Sequence, residues 1–361
     1  MKTLVIEKEK LKHNIDIIKS MTSSTIIAVL KGNGYGLGIV EFARFLLDNG
    51  IDYFAVSEIS EAIKLREEGF ENNILLLTPA SSDEEAETIV QYNIIPSIGS
   101  LNSATLINEA GKRLDRIIDV HLKIDTGFGR FGFIWNSIGD CHSFLKSLEN
   151  IRIVGTYSHL SFSFSKKAKL IQVQYERFLK CVEGLNQNGI RTGMLHIANS
   201  CAFLQYESMH LDAVRIGSAF LGRIPIENKY GLNRIGYMKS KIIELKELPK
   251  GYYIGYANTY KTKRPTRIGI VPVGYKDGFG VEKTKDTFRF LDILRYIYHD
   301  LKLFNKRIYV RVKGKKAKVL GRISMYNIVI DTTDLDVSIG DEVLLDVNPV
   351  LIETSIKREY L

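Results

Sequence analysis

The chain is predicted to be an α/β protein: a (β/α)8 barrel over residues 9–228, then a mostly antiparallel β domain over 229–361, with residues 1–8 free to pack with that domain. Three observations predict it. Between Thr25 and about Gly222, short apolar runs and amphipathic stretches alternate eight times, which implies parallel strands joined by right-handed helical crossovers. Eight repeats in roughly 200 residues fit a closed barrel better than an open doubly wound sheet. After Arg223 the helical rhythm stops, and short strands separated by turns take over.

The elements follow in order. Residues 10–21 read as a helix ahead of the barrel. Candidate strands cover 26–31, 53–57, 74–78, 94–98, 117–124, 153–158, 194–198 and 213–216. The stretches 40–47, 58–68, 83–92, 103–110, 137–148 and 170–185 carry apolar residues at helical spacing. In the second half, strands are expected over 240–248, 267–272, 308–312, 317–320, 328–331 and 342–345. Leu248-Pro249-Lys250-Gly251 and Ser338-Ile339-Gly340-Asp341 punctuate them. Residues 283–304 break the pattern. Phe288, Leu291, Ile293, Leu294, Ile297 and Leu301 mark an amphipathic helical insertion, either a surface helix packed on the β domain or an oligomer contact or lid.

Composition narrows the class. An apolar content of 45% and a charged content of 25% are those of a soluble globular protein. No apolar run is long enough to span a bilayer. Met1 to Lys8 lack the apolar core of a secretion signal, so a cytoplasmic location is expected, with no membrane partner. Cys141, Cys181 and Cys201 are scattered and lack metal-ligand spacing, so they read as reduced thiols and no metal is expected. The net charge of +9 (50 minus 41) comes from dispersed basic residues. It favours anionic small molecules rather than nucleic acid.

The chemistry concentrates at strand ends. The run Ala28-Val29-Leu30-Lys31-Gly32-Asn33-Gly34-Tyr35-Gly36 puts a lysine at the mouth of a buried strand, followed by a glycine-rich turn. Burial disfavours the charged lysine and makes it a usable amine nucleophile. Glycines let backbone approach an anion. The other strand ends carry Ser57, Thr78, Ser97, Lys123 with Asp125, His159, Asn199 with Ser200, and Arg215. In a barrel these edges surround one mouth, where active sites sit.

Further motifs are Lys123-Ile124-Asp125-Thr126-Gly127-Phe128-Gly129-Arg130, His196-Ile197-Ala198-Asn199-Ser200, Arg215-Ile216-Gly217-Ser218, Gly255-Tyr256-Ala257-Asn258-Thr259-Tyr260, Gly274-Tyr275-Lys276-Asp277-Gly278 and Gly321-Arg322-Ile323-Ser324-Met325. In this order and spacing the set resembles the alanine racemase family, over nearly the whole chain. The resemblance implies a pyridoxal 5'-phosphate enzyme that interconverts L- and D-alanine for cell-wall precursors. It implies a head-to-tail homodimer in which each β domain completes the partner's barrel mouth. Lys31 matches the lysine that holds the cofactor and then acts as a base on one face of the substrate Cα. Tyr256 matches the acid/base on the other face. Two bases are needed because a single one returns the proton to the face it left. His159 and Arg215 match the pair that assists the tyrosine, and Arg215 matches the group on the pyridine nitrogen. Tyr35, Asn199, Ser200, Gly217 and Ser218 match the cofactor and phosphate site. Arg130, Met325 and Tyr275 match the substrate site. Lys123 matches a lysine carbamylated in some members; that modification is not implied here, and pairing with a neighbouring acid stays open.

Departures from the family pattern are Tyr326 in place of an aspartate, Leu37 in place of a histidine, Gly32 and Gly34 in place of small residues that are commonly alanines, a tail without the usual phosphate-binding tyrosine, and the insertion itself. They leave serine or another amino acid open as substrate. Two other readings use related machinery: a decarboxylase, which requires an acid where Arg215 stands, and a non-catalytic cofactor-handling barrel, which lacks a β domain.

Overall fold

The computed structural model describes residues 2–165 and 168–361. The chain forms two compact units: Lys8–Ile235, and Met1–Glu7 together with Gly236–Leu361.

In the first unit, eight parallel strands close into a barrel: Thr25–Val29, Tyr53–Val56, Ile74–Leu76, Ile95–Ile98, Ile118–Asp125, Ile151–Tyr157, Met194–Asn199 and Ala213–Ile216. Closure is complete because Thr25–Val29 pairs with both Tyr53–Val56 and Ala213–Ile216, while Ile95–Ile98 pairs with Ile118–Asp125. Each strand is covered on one face by the barrel interior and on the other by helices. Tyr53–Val56 is accordingly buried at every position and reads as a continuous apolar run, whereas Ile118–Asp125 alternates apolar with polar residues.

The helices show the complementary pattern. Ile39–Asp48 buries Ile39, Val40, Phe42, Ala43 and Leu46, one stripe at helical spacing. Ser82 and Ser100 cap the helices Asp83–Gln91 and Leu101–Arg113, each side chain accepting a backbone N–H three residues on. Residues 137–148 do not form one helix. A 3₁₀ turn, Ile138–Cys141, leads into the short helix His142–Ser147, and Gly139 in the turn disfavours continuous helix. Lys8–Ser20 packs beside the barrel, and its buried Asn14 donates to the Phe220 and Asn233 carbonyls at 2.8 Å each. Among the described residues no helix is long and apolar enough to cross a membrane.

The second unit is built on a nine-stranded sheet in the order Glu244–Leu248, Thr266–Val271, Ile328–Asp331, Lys315–Leu320, Tyr309–Val312, Glu342–Asp346, Tyr237–Lys241, Thr3–Ile6 and Lys357–Tyr360. All neighbours are antiparallel except the first and last strands of the chain, which pair in parallel. Tyr309–Val312 alternates exposed and buried residues, as a strand with one solvated face should. The expected strand over 240–248 is two strands. Between them the Ile242 N–H donates to Asp341 O and the Ile243 N–H to Ile270 O, 2.9 Å each, so the chain changes partner there.

The insertion does contain a helix, Phe290–Lys302. It is not packed on the sheet domain by its apolar face. Phe288, Leu291, Ile293, Leu294, Ile297 and Leu301 are between 43% and 72% exposed.

Candidate active site

The strand-end lysine leads into an unusual turn. Gly32, Asn33, Gly34 and Tyr35 all have left-handed backbone, at φ 64°, 55°, 64° and 52°. L-residues other than glycine pay for that conformation, roughly 1–2 kcal/mol each, which accounts for glycine at alternate positions. Asn33 ties the turn down at both ends: its N–H donates to Glu61 Oε1 at 3.0 Å, and its side-chain oxygen accepts the Ile39 N–H at 3.0 Å. Leu37 is fully buried beneath the turn.

Lys31 and Tyr35 then face a cavity of about 440 Å³ at the C-terminal ends of the barrel strands, also lined by Lys123, Arg130, Tyr157, His159, Asn199, Ser200, Arg215, Gly217 and Ser218. Its volume falls within the ordinary range for small-molecule sites. Burial first, then Arg130 and Arg215, hold the Lys31 ammonium below the usual lysine range, partly offset by Glu61. Burial, Arg215 and Arg130 also bring Lys123 down to about 7. Lys123 Nζ donates to the Leu77 carbonyl at 3.2 Å and lies over the Phe131 and Tyr157 rings. The neighbouring acid, Asp125, is committed elsewhere. Its two oxygens accept the backbone N–H groups of Gly127, Phe128, Gly129 and Arg130 at 2.8–3.2 Å. That cage shapes the loop carrying Arg130, whose guanidinium stacks 4.5 Å from the Phe128 ring centre.

Arg215 is buried and organises the floor. It donates to the Ser158 carbonyl at 2.6 Å, the His196 carbonyl at 3.1 Å and His196 Nδ1 at 2.8 Å, and one amino group lies 3.5 Å from His159 Nδ1. A guanidinium has no acceptor, so His196 Nδ1 must accept, and its proton sits on Nε2. That proton is donated to His121 Nδ1 at 2.8 Å. His121 in turn presents its Nε2–H to the Tyr53 oxygen at 3.0 Å. The chain of donors runs one way, outward from Arg215. Both histidines are held neutral: burial and Arg215 bring His121 down to about 3 and push His196 well below the usual value. Burial, Arg215 and Arg130 do the same to His159. Tyr157 stacks on His196 at 4.8 Å, lies 4.9 Å from Arg215, and its hydroxyl meets Ser97 Oγ at 2.7 Å.

The turn after the last barrel strand gathers a hydroxyl and several backbone N–H groups. Ser200 Oγ accepts the Gly217 N–H at 3.0 Å and the Ala219 N–H at 3.3 Å. The Ser218 N–H has no partner among the described residues. The Tyr35 ring packs so closely on Gly217 that a Cβ there would lie 2.6 Å from the phenol oxygen. Asn199 is the N-cap of Ser200–Gln205, accepting from the Cys201 and Ala202 N–H groups and from Ser163 Oγ.

On the second unit, Tyr256, Tyr275 and Met325 line an open concavity of about 560 Å³ with Ile308, Arg322 and Ile323. Tyr256 is 68% exposed. The Met325 N–H has no partner among the described residues. Lys2 pairs with Asp277 at 2.7 Å and lies over the Tyr326 ring at 5.4 Å.

Comparison with known proteins agrees with this division of the chain into barrel and sheet. The family model for the alanine racemase N-terminal domain matches residues 6–225, and that for the alanine racemase C-terminal domain matches residues 235–351. The chain belongs to the alanine racemase family. It is 33% identical over 350 residues to the alanine racemase of Clostridium tetani, covering 94% of this chain and 84% of that one. It is 35% identical over 353 residues to the alanine racemase of Thermodesulfovibrio yellowstonii, covering 94% and 86%. The solved alanine racemase of Clostridium difficile 630 matches with a TM-score of 0.88 at 28% identity, covering all of this chain and 95% of that one.

Against that family background, sequence reasoning missed Tyr53, His121, Tyr157 and the role of His196. All four lie inside apolar strands, and only closure of the barrel brings them together. Asp125 carried a visible signal, four backbone amides in a Gly-Phe-Gly-Arg run just after it.

Proposed function

We propose that the protein interconverts L- and D-alanine with pyridoxal 5'-phosphate held in the barrel cavity. The observation that carries the reading is the pairing of a depressed amine, Lys31, with a buried guanidinium, Arg215, on the walls of one cavity. The residues fit the cofactor. Lys31 supplies the amine, the unpartnered Ser218 N–H with the Tyr35 and Ser200 hydroxyls supplies a phosphate cradle, and Arg215 supplies a donor for the pyridine nitrogen. When bound, pyridoxal phosphate is an electron-withdrawing ring that makes the substrate's Cα proton easier to remove.

The remaining work falls to the chain. Arg130 and the Met325 N–H hold the substrate carboxylate, with Tyr275 beside it. Lys31 Nζ exchanges the proton on one face and the Tyr256 hydroxyl on the other. His159 remains neutral because burial and two arginines oppose its charge. With Nδ1 toward Arg215, its Nε2–H is the donor that stabilises a tyrosinate. Arg215 keeps its proton, so it restrains the ring's electron demand and limits side reactions. An acid at that position would favour decarboxylation; the arginine opposes it. Tyr256 and Met325 would serve the cavity of a second copy in a head-to-tail dimer, which their open concavity supports. Tyr326, half-exposed beside Met325, favours serine as the second candidate substrate.

The test is incubation with pyridoxal phosphate and single L-amino acids in D2O, scored by chiral chromatography and mass. D-Alanine carrying Cα deuterium is the expected product, and serine in its place would move the substrate assignment. Tyr256→Phe should abolish racemisation while the cofactor still binds. Full activity in that variant would remove the two-base reading.

A further inference from the structure

The insertion leaves a run of large apolar side chains exposed. From Val281 to Tyr309 every residue except Asp292 and Tyr296 is exposed, and Asp292 is covered by its own neighbours Arg289 and Arg295. At 100° per residue, Phe290, Leu291, Ile293, Leu294, Ile297, Tyr298 and Leu301 fall on one arc of the helix, and Phe304 follows just past its end. Arg289, Asp292, Arg295, His299, Asp300 and Lys302 fall on the other. We propose that this segment is a dimerisation arm, whose helix Phe290–Lys302 lays its apolar arc on a second copy of this chain. The proposal rests on the shared-site dimer described above and names the element that holds it together.

Three observations select a second copy as the occupant. The first is area. With exposures from 43% to 82%, these eight side chains present on the order of 700 Å², taking roughly 150–200 Å² for a whole aromatic side chain and about 120 Å² for an aliphatic one. A standard interface buries roughly 800 Å² per partner, so the arc alone supplies most of one side. The second is charge. Lys283 pairs with Asp286, Lys285 with Asp300, and Asp292 with Arg289 and Arg295. All four acids of residues 281–309 pair with basic side chains, Glu282 with Lys306 among them, and a net charge of +3 (7 minus 4) remains. Spread along the segment, it falls short of the cluster of about 4–8 basic residues that marks an anionic bilayer site, which leaves apolar burial as the main driving force. The third is position and complement. Ile308, at the end of the segment, lines the concavity that carries Tyr256 and Met325. The barrel cavity that this concavity would meet on a second copy carries its own exposed aromatic residues at the rim, Phe131 and Phe164, with Phe128 and Phe162 also exposed. The segment is thus rooted beside that concavity at Ile308, and the exposed aromatic residues of the barrel rim are the apolar acceptor the proposal assigns to it.

The test is sedimentation equilibrium of the holoenzyme and of a Leu294→Asp/Ile297→Asp/Leu301→Asp variant, with His299→Ala on the polar arc as control. Because these side chains are exposed, the variant should keep the wild-type circular dichroism. The dimer dissociation constant should rise about tenfold or more in the triple variant and stay unchanged in the control. An unchanged constant in a folded triple variant overturns the proposal. Co-sedimentation of wild type, but not the triple variant, with phosphatidylglycerol vesicles while the dimer stays intact also overturns it, in favour of a membrane surface. The shared site is read separately by mixing Lys31→Ala and Tyr256→Phe protomers. Random reassociation leaves about a quarter of the sites with both groups intact, and recovered racemisation there keeps the shared-site reading whether or not the arm variant dissociates.

Discussion

Gly217→Ala tests the cradle most directly, because a single contact decides its cost. Gly217 has ordinary backbone geometry, so alanine brings no φ/ψ strain. Its Cβ would lie 2.6 Å from both the oxygen and a ring carbon of Tyr35, and 2.7 Å from a second ring carbon. Ordinary van der Waals contact begins near 3.4 Å, so the ring must retreat by roughly 1 Å, in a region where overpacking costs about 1–3 kcal/mol. At about 2–4 °C per kcal/mol for a domain of this size, the melting temperature should fall by several degrees. The Tyr35 hydroxyl should also leave the cradle, weakening pyridoxal phosphate binding as read by fluorescence quenching. The decisive assay is a double-mutant cycle with Tyr35→Ala. In that background the three nearest atoms to the methyl group are gone, and Gly217→Ala should cost less than about 0.5 kcal/mol. An equal loss in both backgrounds would refute the assignment of the clash to Tyr35.

Three further outcomes follow from the site. Asp125→Asn keeps one acceptor oxygen for four amides, so the Arg130 loop should loosen; the KM for alanine should rise severalfold with a stability loss of about 1 kcal/mol, and an unchanged KM would separate the cage from substrate binding. In 15N NMR, His196 should show a bare Nδ1 and a protonated Nε2 that do not titrate between about pH 5 and 8; an imidazolium in that range would break the one-way donor chain. Lys123 sits at about 7 in the fold against a usual value of 10.5, so between those values the unfolded chain binds a proton that the folded lysine has shed. Wild-type stability therefore gains as pH rises through that window, and the advantage of Lys123→Met should be widest below about pH 7 and shrink toward 10.5; a pH-independent difference in urea denaturation would contradict the depressed lysine.

The barrel was legible because most of its strands are buried on both faces and announce themselves as short apolar runs between helical stretches. Even short strands such as Ile74–Leu76 stand out between helices. The sheet domain was harder. The run from Ser240 to Leu248 looks like one strand because nothing local marks the change of partner at Ile242 and Ile243. The parallel pairing of Thr3–Ile6 with Lys357–Tyr360 joins residues more than three hundred positions apart. Lys357-Arg358-Glu359-Tyr360 carries no apolar alternation to announce a strand. The helix in the insertion was visible from its period, but the period cannot say whether the apolar face finds a neighbour within its own chain.

Within the site, legibility follows direction. Residues at strand ends point at the mouth, so Lys31, Lys123, His159, Ser200 and Arg215 were recoverable from chemistry out of place in an apolar run. Residues one step deeper point across the barrel, and their partners are set by closure. His121 lies on the fifth strand and His196 on the seventh, 2.8 Å apart, with the Ile151–Tyr157 strand between them. The demand for such a network was nevertheless implicit in Arg215. A buried guanidinium with five donors and no nearby acid must find neutral acceptors. In a parallel barrel the nearest ones are carbonyls at neighbouring strand ends and whatever polar side chains point inward beside them. Ser158, His196 and Ile197 supply the carbonyls, and His196 supplies the ring nitrogen. Once that nitrogen accepts, the proton positions on His196 and His121 are fixed in turn. One strand-end arginine thus dictates the protonation of a buried chain that no local sequence pattern reveals.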